Sequence, residues 1–167
     1  MQTITTEAAG PPSERRPRPL RLERLEGRTP IASGRGLHPV LEPVGRFLES
    51  LFTVSPAGAR RLGLADPEAW AALEGAGAAA PVVGLLWLAG ETAGITTSPG
   101  RAADAAVLCL LDALVAAARR RHLTFLTVRL STPTGHTVPV PPSSVRKMVK
   151  RDGTQVLYLH LTVTEGD

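Results

Sequence analysis

Of the 167 residues only one is cysteine, Cys109. That excludes an internal disulfide and any zinc site built on thiolates, and with them a secreted disulfide scaffold. Lysine is almost as scarce: Lys147 and Lys150 are the only two among nineteen cations, the rest being arginine. Aromatic residues make up 4% of the chain, and only Phe125 and Tyr158 fall in segments with strand-like alternation. Such a sheet lacks the stacking platform of the RNA-recognition type. The longest uncharged stretch, residues 75–90, is interrupted by Pro81. It falls short of the ~18–20 apolar residues of a membrane span. No continuous apolar core follows the first charges, so no signal peptide is expected. A soluble, cytoplasmic protein without a membrane partner is predicted.

What is present is ordinary in bulk and uneven in distribution. Hydrophobic residues reach 43% and charged residues 20%, close to globular usage, with a net charge of +4 and a pI near 10.2. Residues 1–37 carry seven arginines (15, 16, 18, 21, 24, 28 and 35), four glutamates, five prolines and four glycines. Apart from Leu20, Leu22 and Leu25 this block has little to bury, which predicts a flexible, disordered basic arm. Residues 38–100 reverse the sign, with three cations against six acids. Positive charge returns at residues 119–121 and 146–151.

Residues 38–167 are expected to form one α+β domain, with a helical part over 38–121 and a sheet over 122–167. Val40, Val44, Phe47, Leu48 and Leu51 recur at helical spacing, and Pro43 places the helix start near Leu41. Ser55-Pro56, Asp66-Pro67 and Ser98-Pro99 each pair a capping side chain with a proline, the signature of a helix start. Residues 81–89 are apolar on every side, which fits a buried helix and leaves a buried strand open. A long helix from Ser98 to Arg121, apolar around most of its girth, is predicted as the central one. Beyond it the period becomes two. A strand over 124–130, a hairpin tip at 131–136, a return strand at 137–140, a short basic helix over 143–151 and a strand over 155–164 are expected. The predicted fold is thus a helical body with a long central helix packed on a small C-terminal sheet of about three strands.

The segment from Ser143 to Arg151 carries the functional expectation. As a helix it would bury Val145, Met148 and Val149, turn Arg146, Lys147, Lys150 and Arg151 outward, and offer Ser143 and Ser144 at its N-terminus. Hydroxyls, free N–H groups and cations in that order suit phosphate. Arg119, Arg120 and Arg121, with Arg15, Arg16 and Arg18 on the arm, would extend the same basic surface. The expectation is a small nucleic-acid-binding protein, regulatory or architectural. The alternative is a non-catalytic protein-interaction or assembly subunit anchored through Leu20, Leu22 and Leu25, with residues 81–89 as a partner-facing surface. The order of elements differs from that of winged-helix domains, where the recognition helix precedes the hairpin.

No catalytic residue, metal site or cofactor is predicted. His38, His122, His136 and His160 lack ligand spacing. Ser144-x-x-Lys147 occurs without the companion motifs of serine–lysine acylases. Asp104 and Asp112 share a helix stripe with Arg101 and Arg119 and read as ion-pair partners, while Cys109 sits among leucines as an inert thiol. Gly34-Arg35-Gly36 is too short for a phosphate loop.

Overall fold

In a computed structural model of the chain the described residues are 19–25, 37–53, 55–64, 66–75, 80–100, 102–132, 145–151 and 154–161. Among them the expected helical body gives way to one mixed sheet of seven strands. These are β1 (Leu20–Leu25), β2 (Glu68–Glu74), β3 (Val82–Ala89), β4 (Thr92–Thr97), β5 (Phe125–Ser131), β6 (Val145–Arg151) and β7 (Thr154–His160). Three helices accompany it: α1 (Glu42–Thr53), α2 (Pro56–Arg61) and α3 (Ala103–Arg120). The order across the sheet is β1-β2-β3-β4-β5-β7-β6. Every join is antiparallel except β4–β5, which is parallel and crosses over through α3.

Strands β2, β3 and β4 are covered on both faces. Trp70 and Ala72 of β2 pack with Leu86 and Leu88 of β3 in the α3-side core, whereas Ala69, Ala71 and Leu85 pack with α1. Central strands buried on both faces lose the alternation by which strands are recognised. Residues 81–89 read as helix or strand for that reason, and the alanines of 68–74 read as helix outright. Asp66 does not cap a helix. It adopts φ +50, a left-handed turn position that aspartate tolerates, and Pro67 leads directly into β2. Residues 81–89, expected as a partner-facing surface, are instead paired on both edges.

Other expectations meet the structure more closely. The helix near Leu41 is α1, with Leu48 and Leu51 buried against β1–β3. Ser55 caps α2 by accepting from the Gly58 N–H at 3.1 Å, and Gly63 follows at φ +71. The long helix is α3, starting five residues later than expected, at Ala103. Val107, Leu110, Leu111 and Leu114 bury its inner face against both halves of the sheet. Each such side chain contributes roughly 1.5–3 kcal/mol of transfer free energy.

Within the segment expected as an arm, residues 20–25 form β1 and pair with β2 from Leu20↔Glu74 to Leu25↔Ala69. Leu20, Leu22 and Leu25 are therefore part of the sheet rather than a free anchor. Arg15, Arg16 and Arg18, and the hairpin expected at 131–140, lie outside the described residues except at Ser131 and Thr132. The short basic helix over 143–151 is not formed. Val145–Arg151 is edge strand β6, and Ser143 and Ser144 lie outside the described residues. A helix of two turns gains little without packing. The free edge of β7 offers a full ladder, from Val145↔Leu159 to Arg151↔Thr154. The last strand is antiparallel to both of its neighbours.

Candidate functional site

The described cations expected to converge are carried on different elements. Arg121, just past α3, is committed to the other end of the sheet. Its Nε donates to Glu68 Oε2 at 2.8 Å, and its terminal nitrogen also reaches that carboxylate and the Asp66 carbonyl. Arg24 of β1 holds the second oxygen of Glu68 at 3.1 Å. Between β2, which carries Glu68, and β6, which carries Arg146, Lys147, Lys150 and Arg151, stand β3, β4, β5 and β7. At ~4.8 Å per strand that separation is roughly 24 Å. Arg119 and Arg120 are exposed on the last turn of α3. Among the described residues no helix N-terminus accompanies the β6 cations, because Val145–Arg151 is a strand; Ser143 and Ser144 lie outside them.

A different place in the fold brings backbone polarity, a buried hydroxyl and a helix start together. The β4–β5 ladder ends at Thr96↔Ser131, while β4 continues to Thr97, paired on its other edge with Gly84 of β3. The Ser98 N–H then donates to the Val83 carbonyl at 3.0 Å. The parallel ladder thus stops one residue short of the end of β4, at the C-terminal ends of the two strands, the position at which open α/β sheets form a ligand crevice. Thr97 is fully buried, yet its Oγ1 has no hydrogen-bond partner. A buried hydroxyl left unpaired costs on the order of 1–3 kcal/mol.

Beyond Thr97 the chain turns through Ser98, Pro99 and Gly100 into α3. Gly100 adopts φ +140, a conformation that a side chain would strain, and the space its Cβ would occupy is open. Its carbonyl accepts from Ala103 N–H at 3.3 Å. Ala102 stands at the cap position and offers no side-chain acceptor to the first turn. A helix start without such a cap, at the end of a parallel strand, suits an anionic ligand group. Asp104 in the first turn partly answers the same dipole. The Ser98-Pro99 pair marked this loop in the sequence, but as a cap. Ser98 is instead buried, with its Oγ donating to the Val83 carbonyl at 3.4 Å.

The remaining candidates are scattered. Asp104 and Asp112 lie two turns apart on α3, Asp112 being exposed. Cys109 is half-buried. Burial first, and the Asp112 carboxylate second, push its thiol above the ordinary range, so it is a poor nucleophile. His38 and His122 are exposed, His160 packs its ring 5.0 Å from Phe125, and His136 lies outside the described residues. Among the described residues no three His, Cys, Asp or Glu side chains gather as a metal site, and no helix is long and apolar enough to cross a membrane.

No protein-family model and no curated protein matches the chain. Its structure is similar to that of AtaTR bound with acetyl-CoA, at 14% identity and a TM-score of 0.46, over 83% of this chain and 92% of the other. It is also similar to a mutant AtaT toxin bound to the C-terminus of the antitoxin AtaR and to acetyl-CoA, at 14% identity, TM-score 0.43 and the same coverage. A third similar structure is aminoglycoside 6'-acetyltransferase type Ii, at 11% identity and TM-score 0.44, over 82% of this chain and 94% of that one. With β6 extended, Arg121 paired and residues 81–89 buried, the nucleic-acid-binding expectation and its assembly-subunit alternative are both overturned.

Proposed function

We propose that the chain is an acyltransferase that takes its acyl group from a coenzyme A thioester. One observation carries the reading: the buried, unpartnered Thr97 hydroxyl, set just past the end of the β4–β5 ladder and at the foot of α3. A coenzyme A thioester has amides along its arm and a diphosphate at its far end. The unpaired strand end beyond Thr96 suits the first, and the start of α3 after Gly100 suits the second. Thr97 Oγ1 is fully buried in the free chain, so binding would have to open the Ser98–Gly100 turn for its hydroxyl proton to meet a carbonyl of that arm. Acetyl-CoA, present in two of the similar structures, is the thioester to test first.

The chemistry such a donor supplies is an activated acyl carbon. Attack by an amine forms the C–N bond and breaks the C–S bond, and the proton lost by the amine balances the one the departing thiolate takes up. Neither β4 nor β5 contains a carboxylate or a histidine. The strand residues at the crevice therefore contribute by holding the thioester and the amine in line.

The test is calorimetric titration of acetyl-CoA into the wild-type chain and Thr97→Val. Thr97→Val removes the orphaned hydroxyl at nearly constant volume. It should raise the stability of the free protein by about 1 kcal/mol while weakening acetyl-CoA binding about three- to tenfold. Absence of any acetyl-CoA binding, or a stabilised variant that binds it as well as the wild type, would refute the reading.

A further inference from the structure

Among the described residues the helices leave half of one sheet face uncovered. α1 covers β1–β3, and the Trp87 indole extends that cover over Gly94 of β4. Beyond it, on β5 and β7, Phe125 is 59% exposed, Tyr158 42% exposed, and Arg129 is exposed. The Phe125 and His160 rings lie 5.0 Å apart on the same surface. Leu126, Val128 and Leu130, with Leu157, Leu159 and Leu161, are buried under α3, so the alternate residues of both strands form this open face.

The face has one sign of charge. Its positions are Phe125, Thr127, Arg129 and Ser131 on β5, and Thr154, Val156, Tyr158 and His160 on β7. The β6 positions in register with Val156, Tyr158 and Thr154 are Val149, Lys147 and Arg151. None of these is a carboxylate. Arg129 stands between Gly94, which has no side chain to shield it, and Val156, and no described acid pairs with it. Residues 132–144, which join β5 to β6, contain neither Asp nor Glu.

We propose that this face docks an acidic segment of a partner protein, with carboxylates toward Arg129 and the β6 cation positions and apolar side chains over Phe125, Val156 and Tyr158. A second copy of the chain placed face to face would set cation against cation. The aromatic and aliphatic area between the charges calls for a partner that alternates acid with apolar groups, which a uniformly charged polymer does not offer. This inference is independent of the thioester reading, which rests on Thr97.

The experiment uses the full chain and a fluorescent peptide of alternating glutamate and leucine, followed by anisotropy. A lysine–leucine peptide and a single-stranded oligonucleotide of equal length serve as competitors. The acidic peptide should bind, lose affinity with salt, and protect residues 125–131 and 154–160 from hydrogen exchange. Arg129→Glu should weaken it about tenfold and Arg129→Gln less, with Arg60→Glu on α2 without effect. Hydrogen-exchange mapping on the wild type tests the site even if a variant fails to fold. No binding, protection elsewhere, equal binding of the basic peptide, preference for the oligonucleotide, or indifference to both Arg129 variants overturns the proposal.

Discussion

The guanidinium of Arg121, just past α3, donates to the carboxylate of Glu68 at the start of β2, 53 residues earlier in the chain. Glu68 is only 12% exposed at its side chain and Arg121 19%, so this pair is shielded from solvent far better than the outer Arg24 contact. The connection ties the C-terminal end of the crossing helix to the second strand of the sheet.

Glu68→Gln should lower stability by about 1–3 kcal/mol, because it keeps an acceptor oxygen but removes the negative charge that faces a shielded guanidinium. Arg24→Gln should cost less than about 1 kcal/mol, since Arg24 is largely exposed. Denaturant unfolding of both variants and of the Glu68/Arg121 double replacement measures the coupling. A coupling near zero would show that the contact is ornamental.

Two strand glycines answer the same substitution differently. A Cβ at Gly94 would fall within the Trp87 indole, which is itself held against Phe47 at a ring distance of 5.1 Å. A Cβ at Gly84 meets the tip of the Leu110 side chain at 3.0 Å and otherwise makes ordinary contacts at 3.5 Å with Thr96 and Thr97. Gly94→Ala should therefore destabilise by about 2–3 kcal/mol and shift tryptophan fluorescence, with Gly84→Ala costing about 1 kcal/mol or less. Thermal melts with intrinsic fluorescence distinguish the two, and equal effects would contradict the packing described here.

The Cys109 thiol titrates high, chiefly through burial. A raised folded value means that the unfolded chain gives up its proton first. The associated stability is present below the ordinary thiol value and is lost as pH rises through the folded one. Iodoacetamide alkylation of the native protein should show a pH midpoint above that of a free thiol. Asp112→Asn should lower that midpoint without restoring it, because the carboxylate is the lesser cause.

Reading the sequence succeeded where one face of an element meets water. α1 has polar Arg46 and Glu49 opposite Leu48 and Leu51, and β5 and β7 alternate cleanly because α3 covers only one of their faces. It failed where burial is two-sided. In β2 the alanines carry helix propensity, and long-range pairing overrides it. β4 passed unnoticed because Thr92-Ala93-Gly94 offers so little apolar area, although Gly90 at φ +60 makes the tight turn that joins it to β3. For β6 the decisive signal was Asp152-Gly153 between the paired residues Arg151 and Thr154, the dipeptide that favours two-residue hairpins. Val145, Met148 and Val149 also satisfy helical spacing, and that pattern masked it. The loop that precedes α3 was legible only as the Ser98-Pro99 pair; the orphaned Thr97 hydroxyl exists only once the sheet is assembled.

The single parallel join has a kinetic consequence. Strands β1 to β4 follow one another in sequence and in space, and β5 to β7 form a second local set. The interval between β4 and β5 is mostly α3, so the two sets unite only when that helix lands on both. Among the joins between neighbouring strands only that of β1 to β2, across residues 26–67, closes a longer stretch of chain than this crossover across residues 98–124. α3 packs on both sets whereas α1 packs on β1–β3 alone, so truncating Leu114, fully buried on α3, should slow folding more than an equal truncation of Leu51 on α1. The helix that fronts the proposed ligand is also the clasp whose closure times the birth of the native sheet.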